Sequence, residues 1–332
     1  MFDKVKLRLN KEHLPAGYDW TSVIDNVNVC NRGYYEGGDG GWGEYRGRKI
    51  RAKNDYVIFE GSLSKCLFGN NIQTLTLTQV RQVIEMIGEE LGVPMENAEV
   101  LELEFATNLT MSRKPVEYIR LLNGMKGYQK MNVAETVYFK NRHTQIKFYD
   151  KVLEAKKKRE LPKHSEFGMA PYQLRYEVTF SKKSLTAMFG RTLQASDLWD
   201  KKFFYRLVAE WFGLYEEIDK LSDCPFGVTF NDIRTMRDFY TWCICIADVQ
   251  QNMACYVKEL FHRRDNPQAE DRQAHSHIQR VIRSAQSWKA KHIKSSVLID
   301  ELTGALHTYL QWLLDYSADG MTVEEQRELF GC

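Results

Sequence analysis

Residues 98–107 read AEVLELEFAT. Leu101, Leu103 and Phe105 fall on one side of an extended chain, Glu102 and Glu104 on the other. A period of two marks a strand with one buried and one open face. The same alternation opens the chain, where Val5, Leu7 and Leu9 interleave with Lys4, Lys6 and Arg8. It returns at residues 172–180, YQLRYEVTF. Between them, KIRAKNDYVIFEGS at 49–62 reads as strands around the apolar run Val57, Ile58 and Phe59. Residues 136–139 and 144–149 flank Lys140-Asn141-Arg142-His143, a hairpin signal. Val80, Val83, Ile84, Ile87 and Leu91 predict a helix over 78–91, with Thr76 or Thr78 as its N-cap and Gly92 and Pro94 as its stop. A short helix over 115–122 is entered through Pro115. The order strand, strand, helix, strand, helix, hairpin, strand predicts an α+β fold on a mainly antiparallel sheet. Past Ser196 the texture changes to four amphipathic helices, over 203–221, 232–262, 272–293 and 296–316. The expected organisation is an α+β domain over 1–195 and a mainly α-helical domain over 196–332.

The chain has 332 residues, with 46 Lys+Arg against 44 Asp+Glu. Hydrophobic residues at 43 % exclude wholesale disorder. No run of about 18 apolar residues occurs, so no membrane span is expected. MFDKVKLRLN lacks an apolar export core. Seven scattered cysteines therefore read as reduced thiols in a cytoplasmic protein. The near-zero balance conceals segregation. Residues 140–163 carry nine Lys/Arg against three Asp/Glu, residues 270–294 six against two, and residues 85–104 seven glutamates with no Lys or Arg.

Standard sites are absent: there is no GxxxxGK[ST], HExxH or GxSxG. Gly37-Gly38-Asp39-Gly40-Gly41-Trp42-Gly43 precedes no helical pattern, so it reads as a flexible turn between strands rather than a phosphate cradle. His275-Ser276-His277 reads as a solvated pair, since i and i+2 leave a helix on different faces. Glu60, Glu104 and Glu177 each lie in or beside a strand pattern. Taken singly, each points to solvent; on one sheet they could converge as oxygen ligands suited to Mg²⁺ or Mn²⁺. Tyr149 is followed by Lys151, and positions i and i+2 of a strand share a face. The phenol is either a nucleophile awaiting a cation or a ring packed on the core. Around Trp288 cluster Arg280, Arg283 and Lys289, which read equally as a basic face with a stacking ring or as solvated cations on a packed helix.

Over roughly residues 1–190 these blocks, in order, resemble the filamentous-phage gene II family of replication initiators. FDKVKLRL resembles its first strand, and VIFEGSLSK with Gly69-Asn70-Asn71 its S-P-A-K…G-H-N segment. Leu103-Glu104-Phe105 falls at its strand acid, Tyr149 with Lys151 at its tyrosine-x-lysine segment, and Leu174-Arg175-Tyr176-Glu177 at its V-R-F-E strand. Two departures are Glu60, where the family has a basic residue, and Asn70, where it has His. The pattern also resembles plasmid initiators of the Rep-trans type, which use a tyrosine with acidic metal ligands. The resemblance implies an antiparallel-sheet nicking domain; the helical half that follows, read from its own periodicity, is expected to serve DNA binding or oligomerisation. It implies that Tyr149 attacks an origin phosphodiester, giving a 5′-phosphotyrosine and a free 3′-OH that primes rolling-circle synthesis. Lys151 and Arg175 would offset charge at the phosphate. Glu104 and Glu177, with Glu60, would hold Mg²⁺ or Mn²⁺. Lys147, Lys156, Lys157, Lys158, Arg159, Arg280, Arg283, Trp288 and Lys289 would contact single-stranded or supercoiled origin DNA. A host helicase and a second copy of the chain are further partners it admits; whether a second tyrosine is used stays open, with Tyr128 and Tyr138 candidates by nearness in the chain alone. A mobilisation relaxase or transposase-like strand transferase would share the chemistry, whereas a non-catalytic DNA-binding regulator would share only the fold.

Overall fold

The computed structural model describes residues 2–71, 73–158, 170–221, 233–251, 269–292 and 296–315. Two units divide the chain: residues 1–116, 127–216 and 305–332 form the first, residues 117–126 and 217–304 the second. The first is organised by β1 (Phe2–Asn10), β2 (Val29–Tyr34), β3 (Gly40–Tyr45), β4 (Arg48–Lys53), β5 (Tyr56–Ser62) and β6 (Glu99–Thr110). The strands β7 (Leu122–Met125) and β12 (Ile218–Lys220) pair in the second unit, while β8 (Gln129–Val133), β9 (Thr136–Lys140), β10 (Thr144–Asp150) and β11 (Gln173–Ser181) return to the first. The large sheet runs β2-β3-β4-β5-β1-β6-β11-β10-β9-β8, antiparallel throughout. The α+β fold class expected from the alternation is the one observed.

The two faces of this sheet differ as the period of two requires. Val5, Leu7, Leu103, Phe105, Ile146, Phe148, Tyr176 and Val178 are buried on one face. Helix α1 (Trp20–Ile24) packs there against β3 and β4. A Cβ on Gly41 would meet Ile24 and Trp20 at 3.1 and 3.2 Å, and one on Gly43 would meet Val29 at 2.5 Å. The glycine-rich segment is thus a turn only at Gly37 and Gly38, both with positive φ. Gly40–Tyr45 is strand, kept free of side chains where the helix comes close. After α2 (Leu63–Phe68), α3 (Leu77–Leu91) buries Val80, Val83, Ile84 and Ile87. Its N-cap is Thr76, whose hydroxyl accepts from the Gln79 N–H while the Gln79 side chain accepts from the Thr76 N–H, both at 2.9 Å.

Two bulges interrupt the β1–β6 pairing. Phe2 pairs with Phe105 and Val5 with Leu103, so β1 holds one extra residue between them. Lys6 pairs with Glu102 and Leu7 with Val100, so β6 holds an extra residue at Leu101. Val100, rather than the expected Leu101, therefore shares the buried face with Leu103.

The helices α4 (Pro115–Ile119), α5 (Lys151–Lys158) and α6 (Lys182–Phe189) are short, and α7 (Lys201–Glu216) closes the buried face. Asp200 caps α7, its carboxylate accepting from the Phe203 N–H at 2.8 Å. Phe203 stacks on Phe2, Trp211 meets Phe105 edge-on at 5.5 Å, and the Tyr176 hydroxyl donates to the Trp211 carbonyl at 2.8 Å. These contacts put α7 in the first unit, so the units do not divide at residue 195 as the change of texture predicts. Nor does a helix run from 203 to 221: it ends at Glu216, and β12 follows to pair with β7. In the second unit, α8 (Met236–Gln251) packs against α9 (Ala269–His292), where Ile282 and Ala285 are buried. Past Gln251, the helix expected to reach residue 262 lies outside the described residues. The last described helix is α10 (Val297–Asp315). No helix among the described residues is long and apolar enough to cross a membrane.

Candidate active site

The open face of the sheet carries functional groups on four adjacent strands. Glu104 comes from β6, Glu177 and Arg175 from β11, and Tyr149 and Lys147 from β10. Register aligns them, since Lys147 pairs with Glu177 and Tyr149 with Arg175. From β1 comes Asp3. The bulge between Phe2 and Val5 turns it off the apolar face on which the alternation of Val5, Leu7 and Leu9 would place it. Carboxylate oxygens of Asp3, Glu104 and Glu177 all lie within 4.8 Å of one another.

Hydrogen bonds fix the cluster. The Tyr149 hydroxyl donates to Glu177 Oε1 at 2.7 Å. Arg175 donates through Nε to the same oxygen at 2.5 Å, through Nη2 to Asp3, and through Nη1 to Asn108 Oδ1 at 3.0 Å. Lys147 reaches Glu177 Oε2 at 3.0 Å, and its ammonium stands 3.9 Å from the centre of the Tyr149 ring. Asn71 Nδ2 donates to Asp3 Oδ2 at 3.0 Å, and Asn71 Oδ1 accepts from Lys151 at 3.1 Å. Glu104 differs: among the described residues no hydrogen-bond donor reaches its carboxylate.

Electrostatics separates the groups. Burial would raise Glu177, but Arg175, Lys147 and the hydrogen bonds from Tyr149 and Arg175 hold it below the usual carboxylate range. Burial, then the charges of Glu177 and Asp3, push Glu104 up. Burial also pushes the Tyr149 phenol up, so it is protonated at rest. Three hard oxygen donors, one of them without a hydrogen-bond donor, fit a divalent ion such as Mg²⁺ or Mn²⁺. A cavity of about 370 Å³ opens beside them, lined also by Lys4, Lys49, Ser62 and Lys158.

Several residues stand elsewhere than the sequence suggests. Glu60 is outside the cluster, bound by Lys4 at 2.9 Å and Lys6 at 3.7 Å, which hold it below its usual range. Lys151 does not continue the strand: β10 ends at Asp150, and Lys151 opens α5 with its ammonium buried on Asn71 and on Glu154 at 2.8 Å. Lys147 is engaged by Glu177. Lys156 and Lys157 are exposed on α5, where Lys158 pairs with Glu154. Arg159 lies outside the described residues, as does the Lys289 side chain. Arg280 and Arg283 are exposed on α9 and Trp288 is half-buried, all in the second unit. Tyr138 pairs with Lys147 across β9 and β10 and is half-buried.

Residues 1–202 match the family described as the N-terminal region of the replication-associated gene II protein. The chain belongs to this family. The match takes in the whole ten-stranded sheet and with it every residue of the carboxylate–tyrosine cluster. No curated protein matches the chain significantly. Among solved structures it is similar to a rolling circle replication initiator protein from Geobacillus stearothermophilus, at 12 % identity over 66 % of this chain and 84 % of that one, with a TM-score of 0.38. In this gene II family chain, sequence reasoning missed Asp3, Asn71 and Asn108. Asp3 left a trace as a lone carboxylate in register with Val5, Leu7 and Leu9, and Asn71 as the last residue of the Gly69-Asn70-Asn71 segment, to which no role was given.

Proposed function

We propose that the chain is a rolling-circle replication initiator that nicks origin DNA by tyrosine transesterification. One observation carries the reading: the Tyr149 hydroxyl donates to Glu177, itself one of three carboxylates gathered within 4.8 Å. Asp3, Glu104 and Glu177 would hold Mg²⁺ or Mn²⁺, which when bound supplies positive charge to polarise the scissile phosphate. Glu177, kept charged by Arg175 and Lys147, orients the phenol rather than acting as a strong base. The phenol proton passes along that hydrogen bond and on to solvent, so that Glu177 ends the step charged as it began it. Tyr149 Oη bonds to phosphorus as the bond from phosphorus to the 3′ oxygen breaks, and that oxygen takes a proton from solvent. The products are a 5′-phosphotyrosine and a 3′-OH that primes synthesis. The energy of the broken bond stays in the phosphotyrosine, so no nucleotide triphosphate is consumed. Arg175 and Lys147 offset charge on the phosphate oxygens, the role that the family resemblance implies for Lys151 and Arg175. Lys151 instead braces Asn71, and through it Asp3.

Covalent capture tests the reading. With Mn²⁺ and a labelled single-stranded origin oligonucleotide, the parent chain should form a 5′-phosphotyrosyl adduct. Tyr149→Phe should bind the oligonucleotide and form none; an adduct from Tyr149→Phe would falsify the proposal. Glu104→Ala and Glu177→Ala should each lose cleavage by on the order of 10²-fold or more.

A further inference from the structure

We propose that the open face of β3, β4, β5 and β1 is a second DNA-contact surface, with Trp42 as a stacking platform for unpaired bases and Arg51 and Arg8 as phosphate contacts. The choice of DNA as occupant rests on the nicking reading; the surface itself rests on its own geometry. Trp42 pairs with Arg51, Arg51 with Ile58, and Ile58 with Arg8, so the three groups fall in one row across four strands. This row lies on the face that carries Tyr149, since Lys6 and Glu60 of the neighbouring row face the same side as Lys4.

Two of the row's three planar groups have a seat. Trp42 is 45 % exposed, yet its ring lies over Gly33 of β2, where a Cβ would come within 2.7 Å of it. The Arg8 guanidinium lies 4.6 Å from the centre of the Tyr56 ring. Neither arginine is neutralised. Arg51 has no ion pair among the described residues, and Glu99, the register partner of Arg8, is taken by Lys182. Nearby cations differ: Lys53 is paired with Asp39 at 2.8 Å and Arg46 with Glu90 at 2.6 Å. Two uncompensated guanidiniums beside an exposed, seated indole match a polyanion with aromatic bases. A sheet face is open enough to take splayed bases, which favours a single strand over a duplex. Six strand spacings separate β3 from β10, roughly 29 Å at about 4.8 Å each. A stacked strand covers that in about nine nucleotides.

Fluorescence anisotropy of the full chain with a labelled oligothymidylate of about 20 nucleotides tests the surface. Trp42→Ala should weaken binding about fivefold or more, and Trp42→Phe should keep most of the affinity. Arg51→Ala should lower the slope of log affinity against log salt by about one. Unchanged melting temperatures would show that the variants are folded, since Trp42 and Arg51 are exposed or half-buried. Parent-like affinity in both Trp42→Ala and Arg51→Ala overturns the proposal. So does a loss seen only with duplex DNA, or a change in oligomeric state with DNA affinity intact, which would mark the face as a contact between copies. Failure of the nicking reading looks different: Tyr149→Phe would still form the adduct, whatever Trp42→Ala does to binding.

Discussion

Glu104 lies among Glu177, Asp3 and Arg175 with no hydrogen-bond donor reaching it among the described residues, and its carboxyl is pushed up to about 8 by burial and by the two neighbouring carboxylates. In the unfolded chain it returns to its ordinary value of 4.5. Between these values the metal-free fold keeps a proton that the unfolded chain has released, so stability from this group is present at low pH and lost as pH rises toward 8. An ion bound by the cluster must displace that proton. Mn²⁺ affinity should therefore climb with pH up to about 8, with about one proton released per ion, readable by calorimetry in buffers of different ionisation heat. Glu104→Gln should abolish Mn²⁺ binding and flatten the metal-free melting profile between about pH 5 and 8; an unaltered profile would sink the assignment. Arg175 has the opposite part. Its guanidinium ties Asp3 to Glu177, and Arg175→Ala leaves those carboxylates facing one another. In chelator, urea unfolding should show a loss of about 3–5 kcal/mol.

At the scale of elements, α7 holds the buried face of the sheet through Trp211, which touches Phe105, Tyr176 and Tyr309. Trp211→Ala should cost about 3–5 kcal/mol in denaturant unfolding. Thr76→Ala, which opens the capping box of α3, should cost about 1 kcal/mol. The strands and α3 were legible because each bears its own periodicity. β11 shows it best: alternation alone places Arg175 and Glu177 on one face and Tyr176 and Val178 on the other. Asp3 was not legible, because a bulge changes which face a residue takes without altering any residue type. Lys151 was misplaced for a related reason. Nothing in KFYDK marks where strand ends and helix begins; the turn is made by Asp150, whose carboxylate accepts from the Leu153 N–H at 2.9 Å. The end of α7 escaped because Ile218 continues its apolar pattern while pairing with Met125, far earlier in the chain.

At the scale of the molecule, the large sheet divides its labour by face: α1 and α7 cover one, while charge and chemistry occupy the other, where α5 lines the cavity beside the cluster. Acidic residues gather in the cluster while uncompensated arginines stand on β4 and at the far end of β1, so a net charge of +2 describes neither region. On the proposed metal reading the ion is held by the folded state alone, so Mn²⁺ at about 100 times its dissociation constant should raise unfolding stability by about 2.7 kcal/mol. That increment should vanish in Asp3→Asn, which tests the ligand that no strand pattern offered. The positions of the ligands along the chain have a kinetic consequence. Asp3, Glu104 and Glu177 are brought together only by the β1–β6 and β6–β11 pairings. Those are long loop closures, the slow kind of contact to form. If the cluster holds manganese as proposed, a refolding chain is blind to it until the central strands have closed, and the appearance of metal affinity in time would clock that closure.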